Sequence, residues 1–215
     1  MKNTPLKYSI GAAIALLTAF SASSNAATPS ILDNIGNDPA GSSMVANFGG
    51  GEGIFTAAQG FTTGSNSYTL TSVSLLFNSV SGIDFQLGLY SNDGNTPGSQ
   101  LALFAGPGSP EVALNIYAAP SNITLDPLTQ YWLVASTATM DDMFFVTMTD
   151  DLSYVTTDGW SMNSALGNFG GGWMPQDSTV IQFSVNVTGQ TVPEPSSVAL
   201  AGLGGLAILF YRRQK

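Results

Sequence analysis

Lysine, arginine, histidine and cysteine are all absent from residues 27–191. The 215-residue chain has five basic residues, and all of them lie near a terminus, at Lys2, Lys7, Arg212, Arg213 and Lys215. Of the 14 acidic residues, 13 fall within 27–191 and the other is Glu194, so the formal charge of this segment is −13. The chain is therefore an acidic middle between two ends that carry all of its positive charge.

These absences exclude many kinds of site from residues 27–191. Without histidine or lysine there is no Ser-His-Asp triad, Ser–Lys pair or Schiff base. Without histidine or cysteine there is no ordinary zinc, haem or iron–sulfur site, and without basic residues nucleic-acid binding loses its main source of affinity. Glycoside hydrolysis by two carboxylates and Ca²⁺ binding by oxygen ligands remain possible. Since no disulfide can form, stability must come from a hydrophobic core.

The N-terminus has the pattern of a signal peptide. Lys2 and Lys7 precede an apolar stretch at 10–20, and small residues follow it. This order predicts a signal peptide over 1–26, with cleavage between Ala26 and Ala27. The alternative is an uncleaved N-terminal anchor.

The C-terminus has the pattern of a membrane stop. The apolar run 198–211 precedes Arg212 and Arg213, and basic residues at a membrane boundary belong on the cytoplasmic side. As a helix, this run would be about 21 Å long at 1.5 Å per residue, which is short for a hydrocarbon core of roughly 30 Å. Its terminal position and basic end nevertheless predict a transmembrane helix over 198–211.

A short motif precedes this predicted helix. Pro193, Glu194 and Pro195 lie in the sequence VPEPSS, and residues 192–215 resemble the PEP-CTERM sorting tail of Gram-negative bacteria. The resemblance implies that an exosortase-type membrane protease recognises and processes the tail at the inner membrane. It also implies export to the cell surface or the extracellular space alongside exopolysaccharide machinery. The alternative is an ordinary tail anchor with a chance Pro-Glu-Pro triplet.

The middle of the chain has the pattern of an all-β domain. Short runs alternate apolar and polar residues between turns rich in Gly, Asn, Asp, Ser and Pro. We predict strands at 54–59, 73–77, 85–89, 101–104, 112–116, 131–135, 144–148 and 180–187, with Val112, Leu114 and Ile116 on one face. The predicted fold is a single β-sandwich of jelly-roll or Greek-key type over 27–191. Residues 27–50 are interpreted as a polar lead-in.

Two further patterns lie within the predicted domain. The blocks at 57–77, 87–104 and 123–136 resemble the choice-of-anchor R domain over roughly 50–187, which implies surface display and supplies no catalytic residues. The pentapeptide Asn-Phe-Gly-Gly-Gly occurs at 47–51 and again at 168–172. In a glycine-rich chain we interpret this repeat as chance.

Acidic and amide side chains supply the candidate metal ligands. One group lies in a predicted turn, and two aspartate pairs flank the predicted strand 144–148. Their oxygens are of the type that Ca²⁺ prefers, whereas the alternative is ordinary turn chemistry and solvated acidic loops. The candidate ligands are Asp93, Asn95, Asp141, Asp142, Asp150 and Asp151.

Aromatic residues in the turn-rich region 150–175 are candidates for stacking on sugar rings. These are Tyr154, Trp160 and Trp173, and the alternative is that they close one end of the sandwich. Glu52 and Glu111 are the weaker candidates for a glycosidase pair, because both have the surroundings of turn residues.

Together these patterns favour a non-enzymatic surface or extracellular-matrix protein that is associated with exopolysaccharide. The alternative is a calcium-dependent carbohydrate-binding module, and a glycoside hydrolase is a third hypothesis. Binding of nucleic acid is not expected, because an acidic surface repels the phosphate backbone.

Overall fold

A computed structural model describes residues 30–49, 53–121, 123–176 and 178–189. Within these residues the regular structure consists of antiparallel strands. The strands are β1 Ser30–Asp33, β2 Gly41–Asn47, β3 Ile54–Thr62, β4 Tyr68–Ser81, β5 Phe85–Asp93, β6 Thr96–Leu103, β7 Leu114–Ala118, β8 Thr124–Leu125, β9 Gln130–Thr137, β10 Met143–Thr149, β11 Val155–Thr156, β12 Ser161–Phe169, β13 Trp173–Pro175, β14 Val180–Ile181 and β15 Phe183–Gly189. The predicted all-β class is confirmed.

The strands form one large hydrogen-bonded antiparallel sheet. Its main path runs β11-β1-β15-β4-β10-β2-β3-β9-β5-β6, with β7 and β8 on β4, β14 on β10, and β12 followed by β13 on β3. The first and last described strands are neighbours, because Ser30 pairs with Asn186 and Leu32 pairs with Val185. The jelly-roll or Greek-key connectivity stays a prediction.

The predicted signal peptide 1–26 and helix 198–211 lie outside the described residues, and no helix within the described ranges is long and apolar enough to cross a membrane.

The main hydrophobic core is lined by aromatic rings. Phe61 stacks on Trp160 with ring centroids 5.7 Å apart and planes at 3°, and it also stacks on Tyr131 at 5.9 Å. At another point Phe85 contacts Phe144 edge-on with centroids 5.3 Å apart. Buried aromatic pairs in these geometries contribute about 0.5–1.5 kcal/mol each beyond the area they bury. A core of this kind explains how the domain can be stable without disulfides.

A second, smaller apolar cluster lies on the opposite face of the β3–β9–β12 part of the sheet. Successive side chains of a strand point to opposite faces, so Leu133 of β9 faces the main core while Trp132 faces away from it. Trp132 packs there with Ala58 and Leu166, and Trp173 covers part of the cluster. This stretch of sheet therefore has apolar contacts on both faces.

Two parts of the predicted pattern are wrong. Residues 27–50, interpreted as a lead-in, contain strands β1 and β2. In β7 the predicted face is reversed, since Leu114 and Ile116 are 48% and 62% exposed whereas Tyr117 is 1% exposed. The Tyr117 ring packs against Phe85 in the core, and Asn115 satisfies its amide locally on the Glu111 and Ala113 carbonyls. The face of β7 that is buried is therefore the one that carries Tyr117, its largest side chain, and Asn115, whose amide is hydrogen-bonded.

The Asn-Phe-Gly part of the repeated pentapeptide, which is described in both copies, forms a similar turn at 47–49 and at 168–170, and the interpretation of the repeat as chance stays a prediction. The Asn47 Oδ1 accepts a hydrogen bond from the Gly49 N–H at 3.1 Å, and the Asn168 Oδ1 accepts one from the Gly170 N–H at 3.0 Å. Both glycines have positive φ, at 64° and 85°. Strands β2 and β12 both pair with β3 at Phe55. The rings of Phe48 and Phe169, which follow these asparagines, therefore contact the Phe55 ring with centroids 5.3 and 5.4 Å away.

A carboxylate joins the turn after β3 to the turn before β12. The Asp158 Oδ1 accepts hydrogen bonds from the Ser65 Oγ at 3.0 Å and the Asn66 Nδ2 at 2.9 Å. Its Oδ2 accepts from the Asn66 N–H at 3.2 Å and the Tyr68 Oη at 3.0 Å. Asp158 and Gly159 have φ of 57° and 73°, so this turn is held in a left-handed conformation by side-chain contacts.

The Asp158 contacts predict a loss of stability in acid. Desolvation raises the pKa of Asp158, but hydrogen bonds from Asn66, Ser65 and Tyr68 outweigh it, so the pKa lies below its usual value. The resulting stabilisation is complete above the unfolded-state pKa of about 3.9 and is lost as the pH falls through the folded-state pKa. In thermal melts from about pH 5 to about pH 2, we expect the gap between wild type and Asp158→Asn to narrow. A gap that stays constant would show that the charged carboxylate contributes nothing.

Candidate functional site

An open groove of about 720 Å³ lies beside the second apolar cluster. Its volume is within the roughly 300–1,000 Å³ range of small-ligand pockets. Side chains and backbone from the β5–β6 turn, β9, the loop after β10, β12 and the segment between β13 and β14 form its walls. The lining residues are Asn95, Gln130, Trp132, Leu152, Tyr154, Met162, Asn163, Ser164, Leu166, Pro175, Gln176, Ser178, Thr179 and Val180.

A β-bulge in β12 shapes one wall of the groove. Met162 pairs with Phe61 and Ala165 pairs with Gln59, so Asn163 and Ser164 together oppose the single residue Gly60. Bulges of this kind redirect side chains and are common beside functional sites. The Gln59 Nε2 of β3 donates a hydrogen bond to the Asn163 carbonyl at 2.6 Å, and this contact stabilises the bulge.

Gly60 allows two groove residues to approach the β3 backbone closely. A Cβ atom on Gly60 would lie 3.0 Å from the Asn163 Cβ and 3.1 Å from the Trp132 ring. The glycine therefore leaves room for both side chains, which is a common reason for glycine inside a strand. The Trp132 indole is fixed at its other end, because its Nε1 donates to the Asn92 Oδ1 at 3.0 Å.

The groove combines an aromatic ring with neutral polar groups. Tyr154 is half-buried, and its ring packs partly against the main core. The Gln176 Nε2 donates to the Ser43 Oγ at 3.0 Å, which leaves its amide oxygen available. Gln130 makes no side-chain hydrogen bond to another described residue. Among the described lining residues none is charged, and Asp177, which lies next to Gln176 in the sequence, is outside the described residues.

The first predicted metal ligands lie in a tight hairpin. Asp93 pairs with Thr96, and the two residues between them, Gly94 and Asn95, have φ of 57° and 71°. This is the backbone of a type I′ turn, which glycine and asparagine favour. The local sequence is thus explained by turn chemistry, although Asn95 does line the groove.

Asp141 and Asp142 have different environments. Asp141 is an exposed turn residue with φ of 66°. Asp142 is 6% exposed, and its Oδ2 accepts hydrogen bonds from the Ile83 N–H at 3.1 Å and the Asp84 N–H at 2.9 Å. Its oxygen thus serves backbone donors of the β4–β5 connection, with the Thr137 hydroxyl also 3.4 Å away.

The pair Asp150 and Asp151 follows β10 in an exposed loop. The Asp151 Oδ1 accepts the Ser153 N–H at 2.9 Å, and this hydrogen bond lowers the pKa of Asp151 from its usual value. The Asn37 amide donates to the carbonyls of Asp151 and Ser153, so the loop is tied to the β1–β2 turn. Across the described residues no three acidic side chains gather as a metal site would require. The calcium hypothesis stays a prediction.

The predicted stacking aromatics occupy different environments. Tyr154 lies in the groove, whereas Trp173 packs on the second apolar cluster. For Trp160 the prediction is wrong, because its ring is 1% exposed and stacked on Phe61, where no sugar can reach it. Glu111 is exposed and does not line the groove, and Glu52 lies outside the described residues.

The sequence singled out few of the groove residues. Gln130, Asn163 and Gln176 are isolated polar residues with no motif around them. The pairing of β3 with β9 and β12 brings Gln130 and Asn163 together, and the pairing of β13 with β12 adds Gln176. The sorting residues Pro193, Glu194 and Pro195, the membrane stop Arg212 and Arg213, and the cleavage site Ala26 and Ala27 all lie outside the described residues.

Comparison with known proteins identifies one end of the chain. Residues 191–214 match the family model described as the PEP-CTERM protein-sorting motif. This motif implies an exported protein that is sorted to the cell surface and processed by exosortase. Neither the curated proteins nor the solved structures gave a match. The comparisons thus give no support to the resemblance of residues 50–187 to the choice-of-anchor R domain.

Proposed function

We propose that the chain is a non-enzymatic surface or extracellular-matrix protein that associates with exopolysaccharide after exosortase processing. The observation that carries the proposal is the sorting motif at 191–214. Residues 27–191 are acidic and contain no basic residue, which supports a role without catalysis. The nucleophile–base pairs and the nitrogen or sulfur metal ligands of common enzymes are missing from this segment. The remaining enzymatic option is a glycosidase pair of carboxylates, and the described lining residues of the groove, none of which is charged, give it no support.

Removal of residues 192–215 tests the sorting part of this proposal. In the native host we expect the wild-type chain to be shortened at its C-terminus and recovered with the surface or matrix polysaccharide. The truncated chain should not reach that fraction, because exosortase has no motif to recognise. Immunoblots of cell, surface and matrix fractions measure both results. A matched control exchanges Ser196 and Ser197 for alanine, which keeps the Pro-Glu-Pro triplet.

Two outcomes would contradict the proposal. If the truncated chain reached the matrix as the wild type does, the tail would not direct sorting. If the processed wild-type chain were exported but found only in the soluble fraction, and never in the fraction that contains the polysaccharide, the proposed association would be wrong. Export of the chain would still stand.

A further inference from the structure

We infer that the groove between β9, β12 and the loop after β10 is a binding site for an uncharged polysaccharide. This inference rests on the proposed function, since it gives the exopolysaccharide association a site and a ligand class. Sugar rings offer apolar C–H faces together with many hydroxyl groups. The groove offers the matching chemistry, with the half-buried Tyr154 ring beside the neutral polar side chains Gln130 and Gln176.

The arrangement of donors and acceptors fits hydroxyl ligands. Amides both donate and accept hydrogen bonds, as sugar hydroxyls do, so each can satisfy either partner. Gln130 makes no side-chain hydrogen bond to a described residue, and the Ser164 hydroxyl on the bulge is exposed and likewise free within the described residues. The Gln176 Nε2 donates to the Ser43 Oγ at 3.0 Å, so the amide of this lining residue is held in one orientation.

Charge selects against acidic polysaccharides. Residues 27–191 carry 13 acidic side chains and no basic one, so a polymer of uronic acids is repelled and finds no cation to pair with. A neutral polymer experiences no such repulsion. The groove is also open, which suits a chain that enters and leaves along its length.

Hydrogen bonds hold two parts of the site in place. The bulge at Asn163 is held by Gln59, and the Trp132 indole that forms the floor is held by Asn92. Preformed sites avoid the entropy cost of ordering side chains on binding. None of the described lining residues is a carboxylate, so these residues supply no acid–base pair for hydrolysis of a bound chain.

The test is the retention of the full-length chain, purified in detergent, on immobilised polysaccharides. The probes are a neutral β-glucan, a neutral galactomannan and the anionic polygalacturonate. We expect binding to at least one neutral polymer and none to polygalacturonate. Tyr154→Ala should weaken that binding about tenfold through loss of the aromatic face. Gln130→Ala should weaken it about threefold to tenfold, as expected for loss of neutral hydrogen bonds.

Matched controls separate a groove effect from a general one. Phe169→Ala removes an exposed aromatic ring outside the groove, and Gln100→Ala removes an exposed amide on β6. Both should bind as the wild type does, and Tyr154→Phe should retain most of the affinity because it keeps the ring. Melting temperatures of all variants show whether any has lost its fold.

Three results would overturn the inference. They are no binding of the wild type to either neutral polymer, wild-type affinity in both Tyr154→Ala and Gln130→Ala, and binding to polygalacturonate alone in the presence of Ca²⁺. Failure of the proposed function is distinct from these. A chain that binds β-glucan through the groove, yet never fractionates with the host's matrix, contradicts the cellular role and leaves the site standing.

Discussion

Replacing Trp160 with alanine is expected to destabilise the domain by about 3–5 kcal/mol, as for other buried tryptophans truncated in a core. The ring is 1% exposed, stacked on Phe61 and met edge-on by Tyr68. Since small domains are stable by only about 5–15 kcal/mol, this single change removes a large part of the total. Urea denaturation of the full-length protein, followed by circular dichroism, measures the loss.

Two further variants make this result specific. Trp173→Ala removes an indole that is only half-buried and should cost clearly less. Trp160→Phe keeps an aromatic ring and also removes the Trp160 Nε1–H, a buried donor without a partner among the described residues. We therefore expect the phenylalanine variant to recover much of the stability. A Trp160→Ala variant as stable as Trp173→Ala would contradict the buried position of this ring.

Replacing Asp142 with alanine is the second large expected effect, at about 2–4 kcal/mol of unfolding free energy. The Asp142 Oδ2 accepts the N–H groups of Ile83 and Asp84 in a confined position, where a Cβ on Gly82 would lie 2.7 Å from the Asp142 Cγ. Without the carboxylate, both of these part-buried donors lose their hydrogen-bond partner. Chemical denaturation measures the loss.

The matched control for this prediction is Asp150→Ala, an exposed aspartate with no side-chain hydrogen bond to a described residue. We expect it to change stability by less than about 0.5 kcal/mol. Asp142→Asn keeps one acceptor oxygen and should lie between the two. Thermal melts of the wild type and Asp142→Ala, with and without a calcium chelator, test the metal hypothesis. If the chelator lowers the melting temperature of the wild type but not of Asp142→Ala, Asp142 is a calcium ligand rather than a backbone acceptor.

Strands that contain several bulky apolar residues could be predicted from the sequence. Residues 131–135 and 144–148 were recognised because their apolar side chains are bulky and face a core. Strands β1 and β2 were missed because the serine, glycine and asparagine around them are typical of loops. In β7 two apolar patterns compete, and the choice depends on the space beside Phe85, which only the folded chain defines.

The groove was largely beyond prediction for a different reason. Its residues are far apart in the chain, and each is an unremarkable polar side chain in its local sequence. The bulge at Asn163 forms opposite Gly60, which is about a hundred residues away in the chain. The Trp132 ring also approaches this glycine closely. Tyr154 was predicted as a stacking residue because it is an aromatic residue in the turn-rich region 150–175, yet the same criterion also selected Trp160, which is buried.

The pairing of β1 with β15 determines when the domain can finish folding. These neighbours in the sheet are about 150 residues apart in the chain, and β4 adds further long-range pairs, because it pairs with both β15 and β10. Folding slows as contacts become more distant in sequence, because loop-closure entropy must be overcome before they form. The described sheet cannot be completed until β15, the last of the described strands, has been synthesised. A polypeptide bound for export thereby avoids completing its fold too early.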